Sequence, residues 1–387
     1  METFLENTAP IVRVEWATLT GQRPRKAGSN ARLGEHGSVI RLPILRLMTS
    51  DGVSGFGFCR TSQEQASALL GQRVQSLFSA EFGVGERWRA YEYPLWDLLG
   101  AQTGRPVYAL AAARMGFAPP PFLSVPCYDT SLYFDDLHLA SEEEAAELLA
   151  SEALEGVARG HRAFKIKVGR GARHLPLEAG TQRDTAIIRA ISRAVWQAFG
   201  PGGTILLDAN NGYNLNLAKQ VLSATADCGI FWLEEPFHED PVLYRDLKQW
   251  LEQQGLKTLI ADGEGQASPT LLDWAREHLV DVIQYDIFGH GFTRWLETGQ
   301  QLDAWGVRSA PHHYGGHYGN YAACHLAAAI QNFAFVEWDE ATTPGLDTSG
   351  YTIREGSVKV PATPGFGLKL EEAVFADAVR NGGFCLP

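Results

Sequence analysis

The segment TILLDANNGYNLNLAKQVLSATADCGIFWLEEP, residues 204–236, contains one full repeat of the pattern that decides the fold. TILLDA (204–209) is a short apolar run closed by a carboxylate. Residues 214–228 carry apolar side chains at helical spacing, and IFWLEEP (230–236) is a second apolar run ending in carboxylates. Strand, helix and strand in about 30 residues read as a βαβ unit with parallel strands.

The same texture extends in both directions. Upstream, SVPCYDT (124–130) and AFKIKV (163–168) read as strands, with helices over 141–160 and 179–199. Ser141 serves as an N-cap ahead of an acidic first turn. Downstream, KTLIADG (257–263), VDVIQYD (280–286), GVRSAPH (306–312) and FAFVEW (333–338) read as strands. Helices are expected between them over 240–254, 269–279, 292–305 and 319–331. Eight strands separated by seven helices imply a closed α/β barrel. An open doubly wound sheet is the alternative, but no G-x-G-x-x-G or Walker sequence follows any strand.

The residues before this region have a different texture. Runs at 10–17, 38–48 and 53–59 read as strands, and 62–79 and 86–113 as helices, an α+β arrangement that ends at APPPF (118–122). GQRPRKAGSNARLGEHG (21–37) has no usable periodicity and reads as a long mobile loop. The expected organisation is a cap over 1–122, a barrel over 123–350 and a C-terminal segment over 351–387.

Hydrophobic residues make up 45% of the 387 positions and charged residues 20%, which suits a large globular core. The net charge of −12 is the wrong sign for a nucleic-acid binder. No window approaches the ~20 apolar residues of a membrane span, and the start of the chain lacks the pattern of a signal peptide. The five scattered cysteines form no C-x-x-C and read as free thiols in a reducing cytoplasm.

Chemistry concentrates at the strand ends. Asp208, Glu234, Glu264, Asp286, His312 and Glu337 follow one another at steps of 26, 30, 22, 26 and 25 residues, close to one βα unit each. In a βα barrel those ends converge on one mouth. Asp208, Glu234 and Glu264 from adjacent strands would repel one another, and a divalent cation removes the conflict. All-oxygen ligation suits Mg²⁺, with Mn²⁺ as the alternative. In FKIKV, period-two alternation puts Lys165 and Lys167 on one face, towards the barrel axis. Two adjacent ammonium groups are expected to depress each other's pKa and make a base. Asp286, one strand from His312, fits a carboxylate that orients an imidazole.

This constellation resembles the enolase superfamily and, within it, the mandelate racemase subgroup. The residues that carry the likeness are KIK (Lys165, Lys167), LLDAN (Asp208), WLEEP (Glu234), DGE (Glu264), IQYD (Asp286), APH (His312) and VEW (Glu337). The resemblance implies a modified TIM barrel, (β/α)7β, with an α+β N-terminal capping domain, to which PGFGLKLEE in the C-terminal segment returns. It implies Mg²⁺ on Asp208, Glu234 and Glu264, with Glu235 behind them. It implies Lys167 as a base on one face of a carboxylate substrate, with Lys165 beside it, and the His312–Asp286 pair on the other face. Glu337 would hydrogen-bond the substrate carboxylate as a protonated donor. GEGQASP and PHHYGG depart from the best-known members and bear on specificity.

The expected reaction is removal of the proton α to a carboxylate. Dehydration of a sugar acid to a 2-keto-3-deoxy acid is favoured, and racemisation or epimerisation of an α-hydroxy acid by two bases is the alternative. Substrate contacts are expected from Asn210, His313, Tyr314 and Arg25, with Arg23, Lys26, Arg32, Asn211 and Tyr213 nearby. The partner is a small carboxylate rather than nucleic acid or membrane, and the chain is expected to be a cytoplasmic homo-oligomer, dimer or octamer. A zinc site on His313 and His317 would need a helix that Gly315 and Gly316 oppose. A non-catalytic homologue would normally have lost one of these groups. His317 is assigned to the glycine loop and His325 to a structural place in the next helix.

Overall fold

The computed structural model describes residues 8–79 and 83–387; residues 1–7 and 80–82 of the expected cap lie outside it. Eight strands form the barrel: β4 (Leu123–Leu132), β5 (Ala163–Lys167), β6 (Thr204–Asp208), β7 (Ile230–Glu234), β8 (Leu259–Asp262), β9 (Val282–Ile283), β10 (Arg308–Ser309) and β11 (Val336–Trp338). They pair in parallel in that order, and β11 returns to β4. Closure between β10 and β11 runs through a bridge from Ser309 to Phe333. There Ser309 N–H donates to Asn332 O at 3.0 Å and Ala334 N–H to Ser309 O at 2.8 Å.

Alternation along the strands builds the interior in layers. Tyr128, Ala163, Leu206, Trp232, Ala261, Val282 and Ala310 form a buried plug of their own. Lys165, Asp208, Glu234 and His312 each stand two residues further along their chain segments, above that plug. The intervening Phe164, Ile166 and Val168 face outwards and join the core shared with the helices.

The cap sheet is antiparallel. β1 (Ile11–Ala27), β2 (Gly37–Thr49) and β3 (Ser54–Phe58) are joined at the β1 edge by Phe384–Leu386. The expected loop over 21–37 is a strand as far as Ala27, since Gly21 and Gln22 pair with Ile40 and Val39 and Ala27 with Gly37. Its composition misled because its basic side chains project to solvent or into ion pairs while the backbone stays in the ladder. The expected helix over 86–113 is broken into a 3₁₀ turn (Glu86–Tyr91), α1 (Glu92–Thr103) and α2 (Val107–Arg114). Gly104, at φ 65°, caps α1, and Pro106 prevents its continuation. The helix expected over 62–79 is reduced to short turns at Gln63–Ala66 and Val74–Leu77, with a 3₁₀ turn between them. Among the described residues, no helix is long and apolar enough to cross a membrane.

Two buried carboxylates fasten the cap, one to the barrel and one to the C-terminal segment. α3 (Phe292–Trp305) begins after Gly291, which has no side chain to cap it. Glu92 supplies the missing acceptor, taking the N–H groups of Phe292 and Thr293 at 2.8 Å each. Asp97 accepts Phe56 N–H at 2.9 Å and Phe366 N–H at 2.8 Å, joining the cap sheet to the C-terminal segment. Burial pushes Glu92 up to about 7 against the pull of those N–H groups.

Glu92→Ala leaves two buried donors unpaired and should cost about 2–3 kcal/mol in urea unfolding. The raised pKa gives a second readout. Between the ordinary 4.5 and about 7 the folded state binds the extra proton, so this group's contribution falls as pH rises and is level above 7. Stability of Glu92→Gln relative to the parent should therefore improve across that window; a constant difference would contradict the assignment.

Candidate active site at the barrel mouth

Adjacent parallel strands place the acidic residues side by side. Asp208 is in register with Lys167 on one neighbour and Glu234 on the other. Glu264 lies two residues beyond β8. The carboxylates of Asp208, Glu234 and Glu264 present oxygens within 4.8 Å of one another. Each is held by a further group. Asn210 N–H donates to Asp208 Oδ1 at 2.9 Å, and its side-chain amide donates to Glu264 Oε1 at 3.1 Å. Gln284, buried two residues before Asp286, donates to Glu234 Oε2 at 2.9 Å. Asn210, Asn211 and Glu235 all have positive φ (42°, 61° and 41°). Strained non-glycine backbone of this kind persists where surrounding contacts enforce it, often at functional sites. Here Glu235 accepts the side-chain amides of both asparagines at 3.0 Å.

Positive charge comes from below. Lys165 Nζ lies 2.9 Å from Glu234, 3.0 Å from Glu337 and 3.4 Å from Asp208, and Lys167 contacts Asp208. The expected mutual depression of the two lysines is not what these contacts produce. Burial does oppose their charge, but Glu234 and Glu337 around Lys165, and Asp208 beside Lys167, outweigh it and raise both pKa values. The lysines do not satisfy the acids equally. Burial and neighbouring Asp208 push Glu234 upward, while Lys167 and Lys165 overcome the burial of Asp208 and hold it down. Glu264 Oε2 is buried with no hydrogen-bond partner among the described residues. Three converging carboxylates and an all-oxygen donor set, with Glu264 Oε2 accepting no hydrogen bond and facing only the His312 ring among the described residues, fit a hard divalent cation such as Mg²⁺.

On the opposite wall, Asp286 and His312 bridge neighbouring strand ends. Asp286 Oδ1 accepts Phe288 and Gly289 N–H at 2.9 and 2.7 Å, which fixes the carboxylate. Its other oxygen faces His312 Nδ1 at 3.3 Å. His312 Nε2 points across the mouth, 3.2 Å from Glu264 and 3.9 Å from Glu337. Burial disfavours the imidazolium, but Glu264, Glu337 and Asp286 raise it to about 9.

Glu337 departs from the expected protonated donor. It receives Thr130 Oγ1 at 2.8 Å, His313 N–H at 2.8 Å, Tyr314 N–H at 3.1 Å and the Lys165 ammonium. Despite burial, those charges and donors hold it well below the usual carboxylate range. It is an anion that ties the ends of β10 and β11 together, and Lys165 is the available donor. His313 also differs from expectation. Its ring packs against Gly319 and bonds the Glu337 carbonyl, so the side chain is a fastening behind the mouth.

A cavity of about 380 Å³ opens above these groups, and Lys167, Asn210, Glu264, His312 and Tyr314 line it. Arg25 does not reach it. Its guanidinium is bound to Asp135, Glu152 and Glu155, contacts that sequence separation concealed. Arg23 makes a bidentate pair with Asp339 and lies over the Tyr314 ring at 4.4 Å. Tyr213 is buried on Asp184 rather than at the mouth. His317 bonds Thr343 and Tyr321, and His325 bonds Tyr108 N–H and Tyr351, both as structural links. Sequence reasoning missed Gln284, His36 and Tyr133. Gln284 was within reach of the alternation argument, because it shares a strand face with Asp286.

A parallel barrel with three carboxylates at its mouth and proton-carrying groups on two walls defines a metal-assisted enzyme acting on carbon acids. Residues 148–374 match the family described as enolase C-terminal domain-like. Galacturonate dehydratase from Geobacillus sp., solved with D-galacturonate and 5-keto-4-deoxy-D-galacturonate, is 50% identical, with 98% of this chain and 99% of that chain covered at a TM-score of 0.92. A mandelate racemase/muconate lactonizing protein from Geobacillus sp. Y412MC10, solved with magnesium and tartrate, is 49% identical over 100% and 99% of the two chains at a TM-score of 0.95. Arabinonate dehydratase from Saccharolobus solfataricus is 25% identical, with 73% of this chain and 69% of the relative covered. The chain belongs to the enolase superfamily, on its mandelate racemase and muconate lactonizing side.

Cation binding at the triad should stabilise the fold by mass action, about 2.7 kcal/mol at a hundred times the Kd. Thermal unfolding with increasing Mg²⁺ should show a saturable rise in Tm. Glu264→Ala should abolish most of that rise with little change in the Tm without added metal. An undiminished rise would place the ion elsewhere.

Proposed function

We propose that the chain is a Mg²⁺-dependent sugar-acid dehydratase whose substrate is a hexuronate of the D-galacturonate type. The observation that carries this reading is the two-walled mouth, with Lys167 and His312, the latter backed by Asp286, facing one cavity beside the carboxylate triad. The likeness to the Geobacillus galacturonate dehydratase narrows the substrate. That enzyme's 5-keto-4-deoxy compound has its keto group next to the C6 carboxylate and has lost the neighbouring C4 oxygen. Counted from the carboxylate, this is the expected 2-keto-3-deoxy outcome.

Each residue then has a task. Asp208, Glu234 and Glu264 would hold Mg²⁺, which would supply positive charge where the substrate carboxylate becomes more negative. With Asp208 committed to the metal, the charge that dominates at Lys167 is that of Lys165. Lys167 is then free to take the α-proton. Lys165 donates towards the developing oxyanion in the role expected of Glu337. His312, held as an imidazolium by its acidic neighbours, gives its proton to the departing β-hydroxyl, which leaves as water. The C–H electron pair becomes the C=C bond of the enol, the C–O pair departs with the water oxygen, and the enol then tautomerises to the keto acid. Asn210 and Tyr314 line the substrate space. We also read the chain as a cytoplasmic homo-oligomer, a dimer or octamer.

The test is a panel of uronates and aldonates with Mg²⁺, assayed for keto acid and for α-proton exchange in D₂O. D-Galacturonate should yield keto acid. Lys167→Ala should lose both exchange and product by more than about 10³-fold. His312→Asn should retain exchange but lose product by at least about 10²-fold. Exchange with inversion and no keto acid would establish the two-base epimerase instead. Full activity in either variant would remove the acid–base assignment.

A further inference from the structure

Lys167 ends β5, and the turn behind it holds a charged cluster that the chemistry above leaves without a task. Arg170, Asp136 and Asp184 are all fully buried there. The guanidinium of Arg170 engages through all three of its nitrogens. Nε lies 3.0 and 3.1 Å from the two oxygens of Asp136, and Nη2 lies 2.6 Å from one of them. Nη1 donates to Asp184 Oδ1 at 2.8 Å and to the Lys167 carbonyl at 3.2 Å. Its charged end sits over the Phe134 ring, 4.2 Å from the centroid. Asp184, on the helix Leu177–Phe199, turns its other oxygen to Gly169 N–H at 2.7 Å, Arg170 N–H at 3.3 Å and the Tyr213 hydroxyl at 2.9 Å. One side chain thus ties together the segments that follow three consecutive strands: Asp136 after β4, Lys167 and Gly169 at the end of β5, and, through Asp184, Tyr213 after β6. Such a cluster is a poor source of stability, because desolvating three charges costs about what their attraction returns, and apolar packing would serve as well. What apolar packing lacks is a directional bond to a chosen backbone carbonyl.

We propose that Arg170 is a positioning residue for the base: it holds the Lys167 carbonyl and so sets the direction in which the Lys167 ammonium enters the reaction cavity. This rests on the reading of Lys167 as the base and deepens it. Lys167 depends on its backbone more than its neighbour does. Lys165 is gripped by Glu234, Glu337 and Asp208. The ion pair of Lys167 is with Asp208 alone among the described residues, and Asp208 is a ligand of the candidate metal site. A flexible four-carbon stem whose charge partner is committed elsewhere takes its aim from where the strand ends. That end is fixed on both sides of Lys167. Val168 N–H donates to Asp208 O at 2.8 Å, and Gly169, at φ 99°, bends the chain so that its own N–H and that of Arg170 meet Asp184. The planar, always charged fork of Arg170 closes this turn onto the Lys167 carbonyl, a geometry that a lysine in its place cannot reproduce. Proton transfer is sensitive to such placement, since a displacement of about 1 Å at the reacting atoms can cost about 10²-fold in rate.

The test uses Arg170→Lys, which keeps a cation between Asp136 and Asp184 but loses the fork. With D-galacturonate and Mg²⁺, its kcat should fall about 30- to 100-fold while KM stays within about threefold. The Kd of Mg²⁺, read from the rise in Tm, should change by less than about twofold. Deuterium at the carbon next to the carboxylate should slow the variant more than the parent, because proton removal becomes the slow step. In a Lys167→Ala background, adding Arg170→Lys should lower the residual rate by less than about twofold, since the group it aims is already gone. A lowered Tm with parental kcat and isotope effect would leave Arg170 a part of the fold only. An undiminished loss in the Lys167→Ala background would show that it does not act through Lys167. Either result overturns the proposal and leaves the dehydratase reading intact. Tyr213→Phe, which loosens Asp184 without removing a charge, should lower kcat about three- to tenfold. Should Arg170→Lys not fold, a parental kcat in Tyr213→Phe overturns the proposal instead. If the parent makes no keto acid from galacturonate, the dehydratase reading fails separately. A crystal structure of Arg170→Lys then decides, because a Lys167 ammonium still seated on Asp208 would refute the positioning role.

Discussion

The mouth of this barrel concentrates carboxylates that cannot all be ionised without compensation. Asp208, Glu234, Glu264 and Glu337 converge above an apolar plug, where water does little to screen them. Lys165 and Lys167 are the internal answer, since they rise from the plug on one strand and reach three of the four acids. The remaining surplus of negative charge is what a divalent cation fits. The same surplus raises His312, which suits it to the acid role proposed for it, as Lys167 suits the proposed role of base. One charge imbalance thus underlies both the fit of a metal and the proposed base and acid.

The barrel was legible because its period is simple. Alternation in FKIKV correctly separates inward lysines from outward Phe164, Ile166 and Val168, and the even steps from Asp208 to Glu337 mark successive strand ends. Local chemistry such as Ser141 at its helix start was legible too, with Glu144 N–H bonded to the serine hydroxyl. Properties that depend on remote partners were not. Arg25 looked like a ligand for a substrate anion until Asp135, Glu152 and Glu155 were seen around it. The charge on Glu337 is set by Thr130, Lys165 and two backbone N–H groups, and no one of these identifies the state alone. His36 had no signal in the sequence, because the barrel residues it shares a cavity with, Lys167, Asn210 and Glu264, lie more than a hundred positions away.

The cap and barrel divide the work by rigidity. Metal ligands and bases stand on strand ends or on turns pinned by several hydrogen bonds, such as the one that Asp286 caps. The cap contributes the wall opposite, fastened at a distance by Glu92 on a barrel helix and by Asp97 on the C-terminal segment.

The pairing of β1 with Phe384–Leu386 has a consequence for synthesis. The sheet that carries the cap wall acquires its edge strand from residues that leave the ribosome more than 350 positions after β1. During translation β1 must wait with one side of its ladder open, while the whole barrel emerges. A nascent chain with a finished barrel would still have an unfinished cap sheet, so cap folding waits for Phe384–Leu386 to emerge and β1 is the segment most in need of shielding until then.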